Sequence, residues 1–132
     1  MIKRIDHVAI AVKNLDQAVS TFESLFGFRT SKIEDISDQG VRAVLIHIGD
    51  TELEFIEPVS PTSGVARFLE SKGEGIHHIC LEVDDTDEEL KQLDARGARL
   101  IDKEGRKGWV GKIGFIHPKS LHGVLIELAQ KT

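Results

Sequence analysis

The sequence predicts an α+β fold built from two βαβββ modules in tandem. Three observations carry that expectation. Residues 6–12 (Asp-His-Val-Ala-Ile-Ala-Val) and 77–83 (His-His-Ile-Cys-Leu-Glu-Val) share a period-two pattern, each with histidine in second place and valine in seventh. Each of these strands runs into a helix with capping signals. Each half then continues with three further strand patterns, and such ordered repetition marks a duplicated unit.

The elements follow in order. After the first strand, Asn14 is placed to cap a helix with Gln17 in the capping-box position. Leu15, Ala18, Val19, Phe22, Leu25 and Phe26 make one apolar face, and Gly27 ends the helix in left-handed conformation. Strands are expected near 28–34, 41–48 and 52–57. A short linking helix fits 64–72, before Gly73. After the second repeat strand, Thr86-Asp87-Glu88-Glu89 reads as another capping box, Leu90 and Leu93 mark the buried side, and Gly97 closes. Strands are then expected near 98–102, 111–116 and 123–129. One domain over 1–132 follows, with module 1 at about 1–62 and module 2 at about 75–132.

Composition limits the possible partners. The chain has 132 residues, which suits one ordinary domain. It carries 22 acidic and 17 basic residues, a net charge of -5, so no general attraction to nucleic acid or anionic membrane is expected. The lone Cys80 excludes an internal disulfide framework and permits a reducing compartment. No apolar run has the length of a spanning helix. The N-terminus runs straight into a strand pattern, with no signal peptide visible. A cytoplasmic protein is expected.

Strand parity selects the candidate site. Ile5, His7, Ala9 and Ala11 share one side of the first strand, with Val8, Ile10 and Val12 on the other. Ile76, His78, Cys80 and Glu82 likewise share a side. Glu54 lies opposite Leu53 and Phe55, and Glu127 opposite Ile126 and Leu128. If the apolar sides pack on the helices, His7, Glu54, His78 and Glu127 all face away from them. Taken singly, each is as readily a structural histidine or a solvated glutamate. Four at matched repeat positions suit a divalent ion such as Co²⁺, Zn²⁺, Ni²⁺ or Mn²⁺.

At these residues the sequence resembles the vicinal oxygen chelate superfamily, and within it the methylmalonyl-CoA epimerase family most. The resemblance spans nearly the whole chain. It rests on Ile5-Asp6-His7-Val8-Ala9, Asp38-Gln39-Gly40-Val41, Glu54-Phe55-Ile56-Glu57-Pro58, Gly73-Glu74-Gly75-Ile76-His77-His78-Ile79, His117-Pro118-Lys119-Ser120 and Gly123-Val124-Leu125-Ile126-Glu127-Leu128. It implies an open, cupped eight-stranded mixed sheet with helices on the outer face. It implies ligation of one divalent metal per chain, cobalt favoured, by His7, Glu54, His78 and Glu127. It also implies proton-moving roles for Glu127 and for the carboxylate at position 38. Two positions depart from the family pattern: Asp38 stands where a glutamate is usual, and Glu54 where many epimerases have glutamine.

The implied chemistry is removal of a proton α to a thioester carbonyl and its return to the opposite face. Two carboxylates, Glu127 and Asp38, would serve as the two acid/bases of (2R)- and (2S)-methylmalonyl-CoA exchange. Ser37-Asp38-Gln39-Gly40 is equally a good turn sequence. Lys119 and Ser120 could bind a substrate carboxylate or phosphate, or form a basic turn. The stretch Lys103–Trp109 could touch CoA phosphates or be a mobile hairpin. His77 is expected to pack, and His47, His117 and His122 have no evident partner. The resemblance also implies a homodimer; the sequence itself shows only that strand edges need cover. Two other readings stay open: a glyoxalase-type lyase acting on a glutathione hemithioacetal, and a metal-free ligand-sequestering protein of the bleomycin-resistance type.

Overall fold

A computed structural model describes residues 1–109 and 111–131; of Asp38 it describes the backbone, and the side chain of this expected second acid lies outside the described residues. The strands are β1 (Ile2–Ala11), β2 (Glu34–Ile36), β3 (Val41–Ile48), β4 (Thr51–Pro58), β5 (Gly75–Val83), β6 (Arg106–Lys107), β7 (Gly111–Ile116) and β8 (Ile126–Lys131). The helices are α1 (Leu15–Phe26), α2 (Gly64–Lys72) and α3 (Thr86–Ala95), with 3-10 turns at Ser37–Gln39 and Pro118–Ser120. This is the α+β, eight-stranded mixed-sheet composition expected. The chain forms two compact units: Met1–Asp6 with His78–Thr132, and His7–His77.

In the His7–His77 unit the strands lie in the order β2-β3-β4-β1. β3 is antiparallel to both its neighbours and β4 is parallel to β1, with Ala9 opposite Glu54 and Ala11 opposite Ile56. One face buries Val12, Val44, Ile46 and Phe55 against Leu15 of α1, with Ile10, Ala18, Val19 and Phe22 packed around them. The other face buries Ala9, Ala11, Val41, Ala43 and Ile56 against Val65 and Leu69 of α2. The small alanines leave room there for a helix whose apolar residues recur four apart. α2, the linking helix, therefore lies on the opposite face of these strands from α1. Leu25 and Phe26, assigned to the apolar side of α1, are 73% and 63% exposed. Phe22 is the last residue of α1 in the core, and Phe26 stacks on Phe28 instead.

In the other unit the order is β5-β8-β7-β6. β5 is parallel to β8, with Cys80 opposite Glu127, and β7 is antiparallel to β8, with Phe115 opposite Glu127. Val83, Leu90, Ile116 and Leu128 form the core on the α3 face, and Cys80, Ile113 and Ala129 the core on the reverse face. The α3 cap is Asp85 rather than Thr86. Asp85 accepts the Glu88 N–H at 3.1 Å, while Thr86 is fully buried and its hydroxyl donates to the Lys112 carbonyl at 2.8 Å.

Three strand expectations shift. Residues 28–33 contribute a single bridge, Thr30 to Ile46, with the Ser31 hydroxyl accepting the Leu45 N–H, and the ladder of β2 begins at Glu34. Residues 98–102 likewise give one bridge, Leu100 to Ile116, and the edge strand falls at Arg106–Lys107. The last strand starts at Ile126 because His122 and Gly123 are left-handed, at φ 57° and 90°. At the start of β1 burial does not alternate: Asp6 and His7 are both buried, and Ile5 is 47% exposed. Asp6 is held in its own unit by Arg4 and Lys131.

Candidate active site: two matched histidine–glutamate pairs

Each unit carries one buried histidine beside one buried glutamate. In the His7–His77 unit, His7 Nε2 lies 3.6 Å from Glu54 Oε1. In the other, His78 Nε2 lies 3.1 Å from Glu127 Oε1. All four residues are less than a tenth exposed. The two pairs are built alike. In both, a parallel strand pair carries them, and the residue opposite the glutamate is two beyond the histidine: Ala9 for His7, Cys80 for His78. Since alternate residues share a face, this register puts histidine and glutamate on the same face as diagonal neighbours.

The surroundings of each pair are apolar. Ala9 and Ala43 lie on the Glu54 face, both fully buried. His78 meets the edge of the Phe115 ring, centroids 5.5 Å apart and planes at 89°. Phe115 was not singled out from the sequence; its place against His78 follows from the β7–β8 register, which pattern alone does not reveal. Phe115 is in turn tied to Asp102, whose carboxylate accepts the Phe115 N–H at 2.8 Å and the Arg106 Nε–H at 3.0 Å.

Among the described residues, no buried side-chain polar atom is without a hydrogen-bond partner.

The remaining expected residues fall as follows. Asp38 sits in a 3-10 turn closed by Gly40, which is left-handed at φ 66°. The Gly40 carbonyl accepts from the Val59 and Ser60 N–H groups, so the turn is fixed to the end of β4. Lys119 is exposed in the Pro118–Ser120 turn. His117 caps that turn, its Nδ1 accepting the Lys119 N–H at 3.0 Å. Desolvation, with Arg99 and Lys119 nearby, holds the His117 imidazole below the usual histidine range. The Ser120 hydroxyl accepts the Arg99 N–H at 2.7 Å, which gives it a structural task. His77 packs edge-on to Phe68, as expected. His47 has the partner the sequence did not suggest: it meets Glu52, directly opposite it in the β3–β4 register, at 2.9 Å.

Comparison with known proteins supplies a second line of evidence. The family described as the Glyoxalase/Bleomycin resistance protein/Dioxygenase superfamily matches residues 6–115. The mitochondrial methylmalonyl-CoA epimerase of Dictyostelium discoideum is 39% identical over 132 residues, 98% of this chain and 80% of that protein. The ethylmalonyl-CoA/methylmalonyl-CoA epimerase of Cereibacter sphaeroides is 38% identical, over 98% of this chain and 99% of that protein. A solved methylmalonyl-CoA epimerase in complex with methylmalonyl-CoA and NH4+ superposes with a TM-score of 0.93 at 35% identity, covering 100% of this chain and 96% of that one.

Proposed function

The chain belongs to the Glyoxalase/Bleomycin resistance protein/Dioxygenase superfamily and, within it, to the methylmalonyl-CoA epimerase family, and from that premise we propose that it interconverts (2R)- and (2S)-methylmalonyl-CoA. The observation that carries the reading is the pair of equivalent histidine–glutamate diagonals, buried and on matched registers.

We propose that His7, Glu54, His78 and Glu127 together hold one divalent ion, cobalt by preference. The donor set suits it: two imidazoles and two carboxylates are ligands for borderline divalent metals. Within each pair the donor atoms lie close together, His78 Nε2 at 3.1 Å from Glu127 Oε1 and His7 Nε2 at 3.6 Å from Glu54 Oε1. Such an ion supplies positive charge against the negative charge that develops on the thioester oxygen.

The chain's own groups then move the proton. Glu127 takes the α-proton, and the C–H electron pair passes into the thioester as an enolate. Asp38, carried by the turn that Gly40 fixes, delivers a proton to the opposite face of the same carbon. Each turnover leaves Glu127 protonated and Asp38 ionised, and proton exchange with solvent resets both before the next. Apolar neighbours such as Phe115 and Cys80 keep the pair dry, which strengthens every charge interaction there. Lys119 is assigned to the substrate's anionic groups, with Ser120 shaping its turn. We propose also a homodimer, which light scattering at micromolar concentration tests directly. Among the described residues no helix is long and apolar enough to cross a membrane.

The deciding experiment is a side-by-side assay of the cobalt-loaded protein with methylmalonyl-CoA and with the methylglyoxal–glutathione adduct, in D₂O. Epimerised CoA ester carrying solvent deuterium at the α-carbon is the expected result. Turnover of the adduct alone would assign the protein to lyase chemistry, and turnover of neither would sink the enzymatic reading.

A further inference from the structure

One hydrogen-bonding device occurs in both halves of the chain, and one half carries an addition that the backbone does not need. In the His7–His77 unit, Leu45 stands opposite Glu54 on β3, and Ser31 holds its backbone groups. The Ser31 hydroxyl accepts the Leu45 N–H at 2.9 Å, and the Ser31 N–H donates to the Leu45 carbonyl at 2.8 Å. In the other unit, Phe115 stands opposite Glu127 on β7, and Asp102 takes the part of Ser31. Its carboxylate accepts the Phe115 N–H at 2.8 Å, and its N–H donates to the Phe115 carbonyl at 3.2 Å. The backbone task is thus met by a hydroxyl in one half and by a carboxylate in the other.

The carboxylate has a second oxygen to use. Asp102 Oδ1 accepts the Arg106 Nε–H at 3.0 Å, and the guanidinium lies 5.6 Å from the Phe115 ring centroid, within cation–π reach. Arg106 stands opposite Ile113, so it shares with Phe115 and Glu127 the sheet face turned away from α3. The Phe115 ring is in turn perpendicular to the His78 imidazole. The Arg106 side chain is 50% exposed, and an ion pair so placed adds little to stability. What the pair does restrict is rotation. The terminal torsions of phenylalanine and histidine are broad, so neither ring plane is set by its own rotamer. A cation over the first ring, and the first ring against the second, set both.

We propose that Asp102 and Arg106 are positioning residues for His78: they hold the Phe115 ring, and the ring sets the plane of the imidazole. The half that carries this addition is the half with Glu127, to which the first proton transfer is assigned. Groups that orient a ligating histidine from outside are worth about 10–100-fold in metal affinity. That consequence rests on the metal-dependent epimerase reading; the orientation of the His78 ring does not.

The test copies one half of the chain into the other. Asp102→Ser keeps an acceptor for the Phe115 N–H, as Ser31 does for Leu45, and releases Arg106. In chelator the variant should melt within about 4 °C of the parent. Its His78 ring-proton resonances, assigned by their loss in His78→Gln, should nevertheless shift, while those of His47 stay. Arg106→Gln should give the same shift. In Co²⁺ titrations followed by visible absorption, each variant should bind about tenfold more weakly. The double variant should also lose about tenfold, because the two residues act as one unit; independent effects would multiply to about 100-fold. Leu90→Ala, in the core on the α3 face, should leave Co²⁺ affinity within about twofold of the parent. Unmoved His78 resonances would overturn the proposal. So would unchanged Co²⁺ affinity in the variants of a parent that binds it, losses that multiply in the double variant, or an equal loss in Leu90→Ala. Shifted resonances in the variants of a parent that takes up no Co²⁺ would support the positioning role and refute the metal reading instead.

Discussion

Replacing Glu127 by glutamine separates a metal-holding role from a structural one. Glutamine matches the glutamate in volume, so Glu127→Gln opens no cavity at a residue only 7% exposed. What it removes is the charge that stands 3.1 Å from His78 Nε2. In chelator, the variant should melt within about 4 °C of the parent, because one isosteric change is worth less than about 1 kcal/mol. With metal the two should part. At a free metal concentration of a hundred times Kd, binding stabilises the parent by about 2.7 kcal/mol. Loss of a charged ligand should cost at least the roughly 100-fold seen for changes one shell out. The same concentration then only matches the variant's Kd, and the gain falls to about 0.4 kcal/mol. For a chain of this size, about 4 °C of melting temperature accompanies each kcal/mol. The parent should therefore gain about 11 °C on loading and the variant about 2 °C. Scanning calorimetry in chelator and in excess Co²⁺ reads both shifts. Equal shifts in parent and variant would remove Glu127 from the metal, and no shift in the parent would remove the metal.

Three further outcomes follow from the packing and the turns. Leu90→Ala empties a fully buried position against Val83, Ile116 and Leu128 and should destabilise by about 2–5 kcal/mol in urea unfolding; a loss under about 1 kcal/mol would contradict the packing. Gly40→Ala puts a Cβ 2.9 Å from the Ser60 Cβ at a φ of 66°, so the turn bearing Asp38 must shift; kcat should fall at least about tenfold while metal binding persists, and an unaltered kcat would exclude Asp38 from the chemistry. The His117 imidazole is favoured neutral in the fold, so its contribution is complete above the unfolded pKa, near 6.5, and fades as pH falls through the lower folded value. His117→Asn should flatten the pH dependence of the melting temperature below pH 6.5, and an unchanged slope would refute the linkage.

Much of this was legible in the sequence because strands alternate strictly. Parity put His7 and Glu54 on one face of their sheet, and His78 and Glu127 on one face of theirs, and the pairs are found there. The Asn14 cap and Gly27 stop of α1 were legible for a similar reason, since both act within one turn of chain. The failures come from interactions that pattern does not encode. Thr86 resembled a cap, but a buried bond to Lys112 drew it inward and left the task to Asp85. Ile5 is 47% exposed beside the buried Asp6, whose ionic partners Arg4 and Lys131 no strand period foretells. The partner of His47 and the ring against His78 both depend on register, which only the paired strands define.

The two proposed acid/bases differ in how they are held, and that difference bears on the chemistry. Glu127 projects from the middle of a sheet, between β5 and β7, and its position is set by ladder bonds on both sides. Asp38 sits in a three-residue turn that the Gly40 N–H closes on the Ser37 carbonyl and that the Gly40 carbonyl fixes to the end of β4. A base that also holds an ion needs the rigid mounting, because an error in its position is an error in two distances at once. A second acid that touches only the substrate tolerates a looser one, and a turn can admit the substrate before it aligns. Aspartate's shorter reach is consistent with this division, since a turn can advance by the missing methylene where a ladder strand cannot. Asp38→Glu should therefore retain more activity than Asp38→Asn, while Glu127→Asp should lose activity and metal together. If Asp38→Asn were as active as the parent, the division would fail and Glu127 would stand as the single base.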